Sequence, residues 1–345
     1  MMSLAGFTAV ALVSLAIVWR GSEILEHTAE QLASYYRLPS IVQGAIIAAV
    51  GSSFPELSST VISALLHGEF ELGVSVIAGS AIFNILVIPG LSGLVARSEM
   101  KTNRDIVYKE TLFYIVSSTT VLITFALAAI YHPLETHEVE GAVKEGVVGL
   151  VTRPLMMIPL LLYVLYSFLQ YHDSMDHEGE DPPEDMKVGK VWLMLIFSLI
   201  AILVGVEGLV RSAIGFGDHF GTPSSLWGVT VIAIGTSISD TFISVRAARG
   251  GKSVVSLANV IGSNIFDLLV AIPAGIIIAG SAAVNFSLAA PLFGFLAVAT
   301  VVLFVFIRTG LTLSRIESVT LLVLYALFLF WMAAESFGIV DMIPI

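Results

Sequence analysis

Three carboxylates lie inside stretches of the sequence that are otherwise apolar. Glu56 lies in IIAAVGSSFPELSSTVISALL, Asp240 in VTVIAIGTSISDTFISV and Asp267 in VIGSNIFDLLVAIP. An ionisable side chain in an apolar helix is costly, so either a function or an ion pair must account for it. No Lys or Arg occurs in these stretches to form such a pair. The three carboxylates are therefore candidates for binding a cation.

Hydroxyl side chains recur three or four residues before a carboxylate or an amide in four segments. Residues at these spacings share a helix face, so each segment would present a face lined with oxygen atoms. A lone Ser or Thr in a membrane helix usually bonds the carbonyl four residues earlier, but four matching faces favour a common ligand. The pairs are Ser52 and Ser53 with Glu56, Ser80 with Asn84, Thr236 and Ser237 with Asp240, and Ser263 with Asp267.

Backbone carbonyls are a further source of oxygen ligands. Gly51 with Pro55, and Gly235, can interrupt their helices and free carbonyls such as those of Ala49 and Ala233. Every ligand on offer is then an oxygen atom, which Ca²⁺, Na⁺ and K⁺ prefer, whereas zinc and copper favour nitrogen and sulfur. None of the seven histidines falls in these segments, and we expect those in loops or near helix ends to be surface groups: His67, His132, His137, His172 and His177.

The composition indicates that these segments lie in a membrane. The chain has 345 residues, of which 57% are hydrophobic and 12% are charged. A soluble domain has about 45–50% apolar and about 25% charged residues, so the apolar excess requires lipid. A net charge of −11 argues against binding nucleic acid, and the absence of cysteine excludes disulfides and thiolate chemistry.

Apolar runs long enough to cross a bilayer recur along the chain, which predicts an all-α polytopic membrane protein with about ten transmembrane helices. No basic residue precedes the first run, and Arg20 follows it, so a retained helix is favoured over a cleaved signal peptide. The predicted spans are 4–34, 39–66, 72–95, 107–131, 146–170, 190–216, 224–247, 253–279, 285–308 and 316–337.

The two halves of the chain resemble each other. Residues 21–56 align with 205–240 without a gap, and GSAIFN at 79–84 then aligns with GSNIFD at 262–267. Two five-helix units follow, and because five is odd the second has inverted topology, a transporter signature. The predicted domains are a first repeat at 1–170 (motif 44–91), an acidic cytoplasmic linker at 171–189 and a second repeat at 190–345 (motif 228–275).

Charged residues orient the predicted helices. The linker is rich in carboxylates but lacks the spacing of a calcium-binding loop, so a solvated linker is favoured over a regulatory calcium site. The bias of basic residues towards the cytoplasm predicts a multi-pass protein of the cell membrane with both termini outside. The predicted inner loops carry Arg97, Lys101 and Arg104, then Lys187 and Lys190, then Arg246, Arg249 and Lys252, and finally Arg308 and Arg315.

The motifs GSSFPE at 51–56 and GSAIFN at 79–84, followed by GTSISD at 235–240 and GSNIFD at 262–267, resemble the alpha-repeats of the calcium/cation antiporter superfamily. They are most similar to those of sodium/calcium exchangers, including the potassium-dependent type. The strong similarity covers about 90 residues, and the ten-helix layout fits the whole chain. The resemblance implies a secondary transporter that lies in the lipid bilayer and has no enzyme activity, cofactor or obligatory protein partner. Its transported ions would be Ca²⁺ and Na⁺, and K⁺ cotransport is left open.

The resemblance also implies a role for each matching residue. Glu56 and Asp240 would bind Ca²⁺, and Asn84 and Asp267 would complete the centre. Sodium would bind to the hydroxyls of Ser52, Ser53, Ser80, Thr236, Ser237 and Ser263 and to the carbonyls of Ala49 and Ala233.

Two positions of the motifs bear on how far the resemblance extends. Prokaryotic members often carry Pro-Glu where this chain has Ser239-Asp240, which leaves open whether the second helix breaks. Asp267 matches an aspartate of potassium-dependent exchangers, but some potassium-independent relatives have it too. Potassium cotransport therefore stays open.

The expected mechanism is alternating access, in which the first and sixth helices slide across the rest. The first alternative is a proton-driven Ca²⁺ exchanger, because buried carboxylates close together bind protons readily. A different class is an intramembrane aspartyl protease that uses Asp240 and Asp267. A passive channel and magnesium transport are also possible in principle, although Mg²⁺ dehydrates reluctantly.

Overall fold

The computed structural model describes residues 3–36, 49–134, 146–173, 187–336 and residue 340. Among these residues, eight helices are long and apolar enough to cross a membrane, and a bent pair of helices makes a ninth span. The predicted span 39–66 begins outside the described residues and continues as two shorter helices within them. The predicted polytopic helical fold is confirmed.

The described residues of the first half form six helices, a π-helical segment and three short strands. The helices are α1 (Leu4–Tyr35), α2 (Ala49–Ser52), α3 (Phe54–Leu66), α4 (Phe70–Val95), α5 (Thr111–Tyr131) and α6 (Arg153–Asp173). The π-helical segment Asp105–Glu110 leads into α5, and the strands are β1 (Met100–Lys101), β2 (Pro133–Leu134) and β3 (Val148–Thr152).

The second half repeats this order with more interruptions. Its helices are α7 (Val188–Phe220), α8 (Ser224–Trp227), α9 (Ala233–Thr236), α10 (Ile238–Arg249), α11 (Ser253–Phe266), α12 (Ile272–Ala279), α13 (Phe286–Arg308) and α14 (Arg315–Ser336). Two π-helical segments, Gly228–Ile232 and Asp267–Ala271, join α8 to α9 and α11 to α12, and the strands are β4 (Ser281–Asn285) and β5 (Thr312–Leu313).

Two small antiparallel sheets, which the sequence analysis did not predict, join the halves. β1 pairs with β5, and β3 lies between β2 and β4, with Val148 opposite Asn285. β1 follows α4, and β4 follows the matching helices α11 and α12 of the second half. β3 precedes α6, and β5 precedes the matching helix α14. A rotation that places one half on the other therefore places each sheet on the position of the other sheet. The sheets lie at opposite ends of α5 and α13. The rotation axis therefore lies in the membrane plane, as inverted topology requires.

α1 and α7 pack against each other along their length. A Cβ on Gly21 would lie 2.7 Å from Ile202 Cγ1, and a Cβ on its repeat counterpart Gly205 would lie 2.8 Å from Val18 Cγ2. Such close approach of backbones is the usual basis of helix association in membranes. The pair therefore forms one packed unit at the side of the remaining helices.

His67 connects this unit to the rest of the protein. Its Nε2 lies 2.9 Å from Glu207 Oε2 on α7, and its side chain is 18% exposed. The expectation that the histidines are surface groups is wrong for His67, because the end of α3 packs against α7.

α4 is the centre of the helical assembly. Its most apolar stretch is completely buried, and it contacts α3, α10, α11, α13 and α14. Polar residues on α4 therefore face other helices, and they contribute to the site described next.

Candidate functional site

The two helices that carry Glu56 and Asp240 break at matching positions. Ser53 separates α2 from α3, and Ser237 separates α9 from α10. Pro55 lies in the first turn of α3, but α10 has Ser239 instead, and Ser224–Thr236 still meets α10 at 44°. The departure from the proline pattern therefore does not remove the break.

Each break places a carboxylate in the first turn of the following helix. Glu56 lies in the first turn of α3 and Asp240 in that of α10, where the positive end of the helix dipole stabilises a negative charge. Asp267 begins the π-helical segment between α11 and α12, a geometry that is frequent at functional sites. All three side chains are at most 2% exposed. No ion pair among the described residues involves them.

Hydroxyls from both repeats surround Glu56. Ser80 Oγ donates to Glu56 Oε1 at 3.2 Å, and it lies 2.8 Å from Ser237 Oγ. Thr236 also lies close enough to interact with the Glu56 carboxylate. Two hydroxyls of the second repeat thus reach the Glu56 carboxylate: that of Thr236 directly, and that of Ser237 through Ser80.

Asp240 is surrounded in the same reciprocal way. Asn84 Nδ2 lies 3.4 Å from Asp240 Oδ2, and Asn259 Nδ2 lies 3.5 Å from Asp240 Oδ1. Ser52 and Ser263 also lie close enough to interact with this carboxylate. Asp240 therefore receives side chains from α2, α4 and α11.

Asp267 differs because neither of its carboxylate oxygens has a hydrogen-bond partner among the described residues. Ser53 is the polar side chain that interacts with it, and Ser53 Oγ also lies 3.5 Å from the Ser263 carbonyl. Glu56 and Asp240 are close enough for their charges to repel that of Asp267. A compensating positive charge would stabilise this position most.

The structure thus brings all ten predicted side chains into one buried cluster, although it leaves several oxygens without a partner. Glu56 Oε2, Asn84 Oδ1 and both Asp267 oxygens are buried and have no hydrogen bond within the described part of the chain. Unpaired buried oxygens are costly, and a bound cation would satisfy them. No three acidic or histidine side chains of the described residues lie close enough to hold a metal ion alone. Hydroxyl, amide or carbonyl oxygens must therefore complete any site.

The two predicted carbonyl ligands lie at the starts of α2 and α9. Ala49 is the first residue of α2. The Ala233 carbonyl accepts a hydrogen bond from the Ser237 N–H at 3.2 Å and another from Thr236 Oγ1 at 3.3 Å. It is therefore occupied in this conformation, and Thr236 would have to turn before this carbonyl could bind an ion.

Three polar residues of the site have no role in the sequence analysis. Asn259 and Asn264 on α11 bond Asp240 and Asn84 respectively, and Glu26 on α1 is close enough to repel Asp240. The available signals were amides in an apolar helix and the helical spacing of Glu23, Glu26 and Glu30. Spacing shows that residues share a face, but it does not show which neighbour that face contacts.

Known proteins are similar to this chain in sequence. A protein-family model described as sodium/calcium exchanger protein matches residues 6–172 and 190–334. The sodium/calcium exchanger MaX1 of Methanosarcina acetivorans is 25% identical over 342 residues, covering 93% of this chain and 96% of that protein. The human sodium/potassium/calcium exchanger 4 is 39% identical over 97 residues, covering 28% of this chain and 15% of that protein.

A solved structure shows the same fold. The sodium-calcium exchanger NCX_Mj, soaked with Na⁺ and Sr²⁺, matches with a TM-score of 0.61 and 21% identity, over 94% of this chain and 98% of that chain. The family model covers both halves of the chain, including every residue of the buried cluster. The chain therefore belongs to the sodium/calcium exchanger protein family.

Proposed function

We propose that this chain is a secondary antiporter that exchanges Na⁺ for Ca²⁺ across the cell membrane. The observation that carries this proposal is the set of four buried oxygens, on Glu56, Asn84 and Asp267, that lack hydrogen-bond partners among the described residues. Oxygen atoms are the ligands of hard cations. Family membership supports cation antiport, and the oxygen-only cluster supports Ca²⁺ and Na⁺ as the transported ions.

Each residue has a proposed role in ion binding. Glu56 and Asp240 bind Ca²⁺, and Asn84 and Asp267 complete the centre. Na⁺ binds at overlapping positions, so that the two ions compete. The proposed sodium ligands are the hydroxyls of Ser52, Ser53, Ser80, Thr236, Ser237 and Ser263 and the carbonyls of Ala49 and Ala233.

Ion occupancy would permit the change of access. Three ionised carboxylates repel one another in the empty site, and one Ca²⁺ or several Na⁺ reduce that repulsion. The packed α1–α7 unit is the proposed moving part. It contacts the helices of both repeats that carry the site: Glu26 lies near Asp240, a Cβ on Gly51 would lie 3.5 Å from Glu26 Cα, and a Cβ on Gly235 would lie 2.8 Å from Leu15 Cδ1. Sliding of this unit would expose the cluster to one side at a time.

The proposed orientation places both termini outside. Its support is the concentration of basic residues near the β1–β5 sheet, where Arg97, Lys101, Arg104, Arg308 and Arg315 lie on connected segments. The proposed domain boundaries at 170 and 190 flank the linker, of which residues 174–186 lie outside the described residues.

Three alternatives make different predictions. A proton-driven exchanger would also use buried carboxylates, but the surrounding hydroxyls favour sodium. Potassium cotransport is favoured by the two Asp267 oxygens, which have no hydrogen bond to the residues that the structure describes, and by the similarity to a sodium/potassium/calcium exchanger. An intramembrane protease would need only Asp240 and Asp267, which leaves the matched Glu56–Asn84 set unexplained.

Uptake of radioactive Ca²⁺ into proteoliposomes tests the proposal. Vesicles loaded with Na⁺ are diluted into sodium-free medium, and proton and potassium gradients are imposed in separate experiments. We expect uptake only when the Na⁺ gradient is outward. Uptake driven by protons without sodium would select the proton exchanger, and uptake without any counter-ion gradient would select a channel.

A further inference from the structure

Asn264 lies outside the proposed ligand set and contacts a member of that set directly. Its side chain is completely buried, and Asn84 Nδ2 donates to its Oδ1 at 3.0 Å. We propose that Asn264 is a positioning residue that holds the Asn84 amide with Oδ1 turned towards the cation. This inference rests on the proposed function, because it assigns a cation to the centre of the cluster.

The backbone of α4 determines how both amides are oriented. An amide group can be turned by half a rotation with little change in shape, so its hydrogen-bond partners decide the orientation. Asn264 lies 3.2 Å from the Ala81 carbonyl, which can only accept, and must therefore present Nδ2 there. Asn264 Oδ1 then faces Asn84, and because Oδ1 can only accept, Asn84 must present its Nδ2 donor there.

The consequence is that Asn84 directs its acceptor into the site. Asn84 Nδ2 donates to Asn264 and lies 3.4 Å from Asp240 Oδ2, and Asn84 Oδ1 has no partner among the described residues. A turned amide would bring Oδ1 against both of those acceptors and would point N–H groups at the cation. The contact with Asp240 alone is long, and it weakens further when Asp240 binds an ion.

Tyr114 provides a second anchor from outside the two motifs. Its Oη accepts from Asn264 Nδ2 at 3.2 Å, and its side chain is completely buried on α5. Asn264 therefore donates both N–H groups of its amide, one to the Ala81 carbonyl on α4 and the other to Tyr114 Oη on α5. Its orientation is fixed before any ion binds.

The difference between the repeats explains why this anchor is needed on one side only. The counterpart of Asn84 is Asp267, whose two oxygens both accept, so a carboxylate needs no such orientation. The counterpart of Asn264 is Ala81, which contributes only its carbonyl. The second repeat thus supplies the orienting amide for the first, whereas Ala81 at the matching position of the first repeat has no side-chain amide to offer Asp267.

Equilibrium binding and transport of Ca²⁺ by the full-length protein test this inference in two backgrounds. Asn264→Leu is introduced into the wild type and into Asn84→Asp, where either oxygen of the new side chain can face the cation. We expect the half-saturating Ca²⁺ concentration to rise about tenfold in the wild-type background, the effect of about 1.4 kcal/mol. In the Asn84→Asp background it should rise less than about twofold.

Two further variants keep the test decisive even if the Asn264→Leu protein does not fold. Tyr114→Phe removes one of the two acceptors, and should raise the half-saturating Ca²⁺ concentration in the same direction by about threefold or less. Asn259→Leu is the matched control, because Asn259 contacts Asp240 and not Asn84. Its effect should be the same in both backgrounds.

Equal effects of Asn264→Leu in the two backgrounds would overturn the inference, because Asn264 would then act as a ligand or as packing. An unchanged Ca²⁺ affinity in both Asn264→Leu and Tyr114→Phe would overturn it as well. Either result leaves the exchanger proposal intact as long as the wild type moves Ca²⁺ against Na⁺. A wild-type protein that neither binds nor moves Ca²⁺ would overturn both.

Discussion

The two repeats carry the same chemistry into the site but pack it differently. A Cβ on Gly79 in α4 would collide with the backbone of Val229, whereas a Cβ placed on its counterpart Gly262 would meet no atom of the described residues within 4 Å outside its own helix. α4 also continues as a regular helix through Asn84, whereas the second repeat changes to π-helical geometry at Asp267. The types of candidate ligand are therefore duplicated in the two repeats, but the packing and the helix geometry around them are not.

A second pair of positions shows the same contrast. Thr60 on α3 is enclosed by glycines: a Cβ on Gly73 would lie 2.6 Å from its Cα, and one on Gly275 would lie 2.7 Å from its Cγ2. Its counterpart Ser244 on α10 instead bonds Asn259 Nδ2 at 3.3 Å. The first repeat closes this position by tight packing, and the second lines it with polar groups. The duplicated sequence thus places the same types of candidate ligand in both halves, whereas the packing around them differs between the halves.

The largest expected effect concerns the carboxylates that the repeats share. We expect Glu56→Gln and Asp240→Asn each to reduce Na⁺-driven Ca²⁺ uptake to background, since each removes a charge that no basic side chain in the cluster balances. Uptake is measured in proteoliposomes, and size-exclusion chromatography checks that each variant stays folded. Near-normal exchange in either one would mean that the two repeats do not share the chemistry.

Acidification tests whether these carboxylates must be ionised together. A proton that occupies a carboxylate removes a ligand, so lowering the pH should weaken Ca²⁺ binding, and raising the Ca²⁺ concentration should restore transport. Where one proton competes with one Ca²⁺, the half-saturating Ca²⁺ concentration rises up to about tenfold per pH unit. Inhibition that added Ca²⁺ does not relieve would contradict competition at the site.

Alanine substitutions at the paired glycines would sharpen the contrast in packing. Gly79→Ala should destabilise the protein by about 1–3 kcal/mol or more, because the rigid Val229 backbone must move. Gly262→Ala should leave stability unchanged or raise it by up to about 1 kcal/mol through helix propensity. The measurement is the Tm of the two variants in detergent. Similar Tm values would remove the proposed difference between the repeats.

The last prediction concerns the charge difference between Asn84 and Asp267. With three ionised carboxylates, one Ca²⁺ leaves about one negative charge, which K⁺ beside Asp267 would balance. Wild-type exchange should then require K⁺, and Asp267→Asn should remove that requirement. Exchange rates are compared in potassium-free and potassium-containing medium. Equal wild-type rates in the two media would end the cotransport proposal and leave the exchanger proposal standing.

Much of the fold and of the candidate site was predictable because the signals are local. Hydropathy separates membrane helices from loops, and the repeat locates Glu56, Asp240 and their hydroxyls at matching helical positions. The contacts of Asn264 were not predictable in this way. Its amide joins α11 to α4 and α5, and no spacing along one helix indicates which neighbouring helix a side chain will reach.

The sequence by itself determined the membrane class, the repeat and the oxygen-only ligand chemistry, since these follow from residue type and from spacing within one segment. Only the tertiary structure decided that Ser237 interrupts its helix without a proline and that both Asp267 oxygens lack a hydrogen bond within the described part of the chain. It also decided that the strands of one half pair with those of the other. These features depend on packing between segments far apart in the chain, where the energy of each contact is set by both partners.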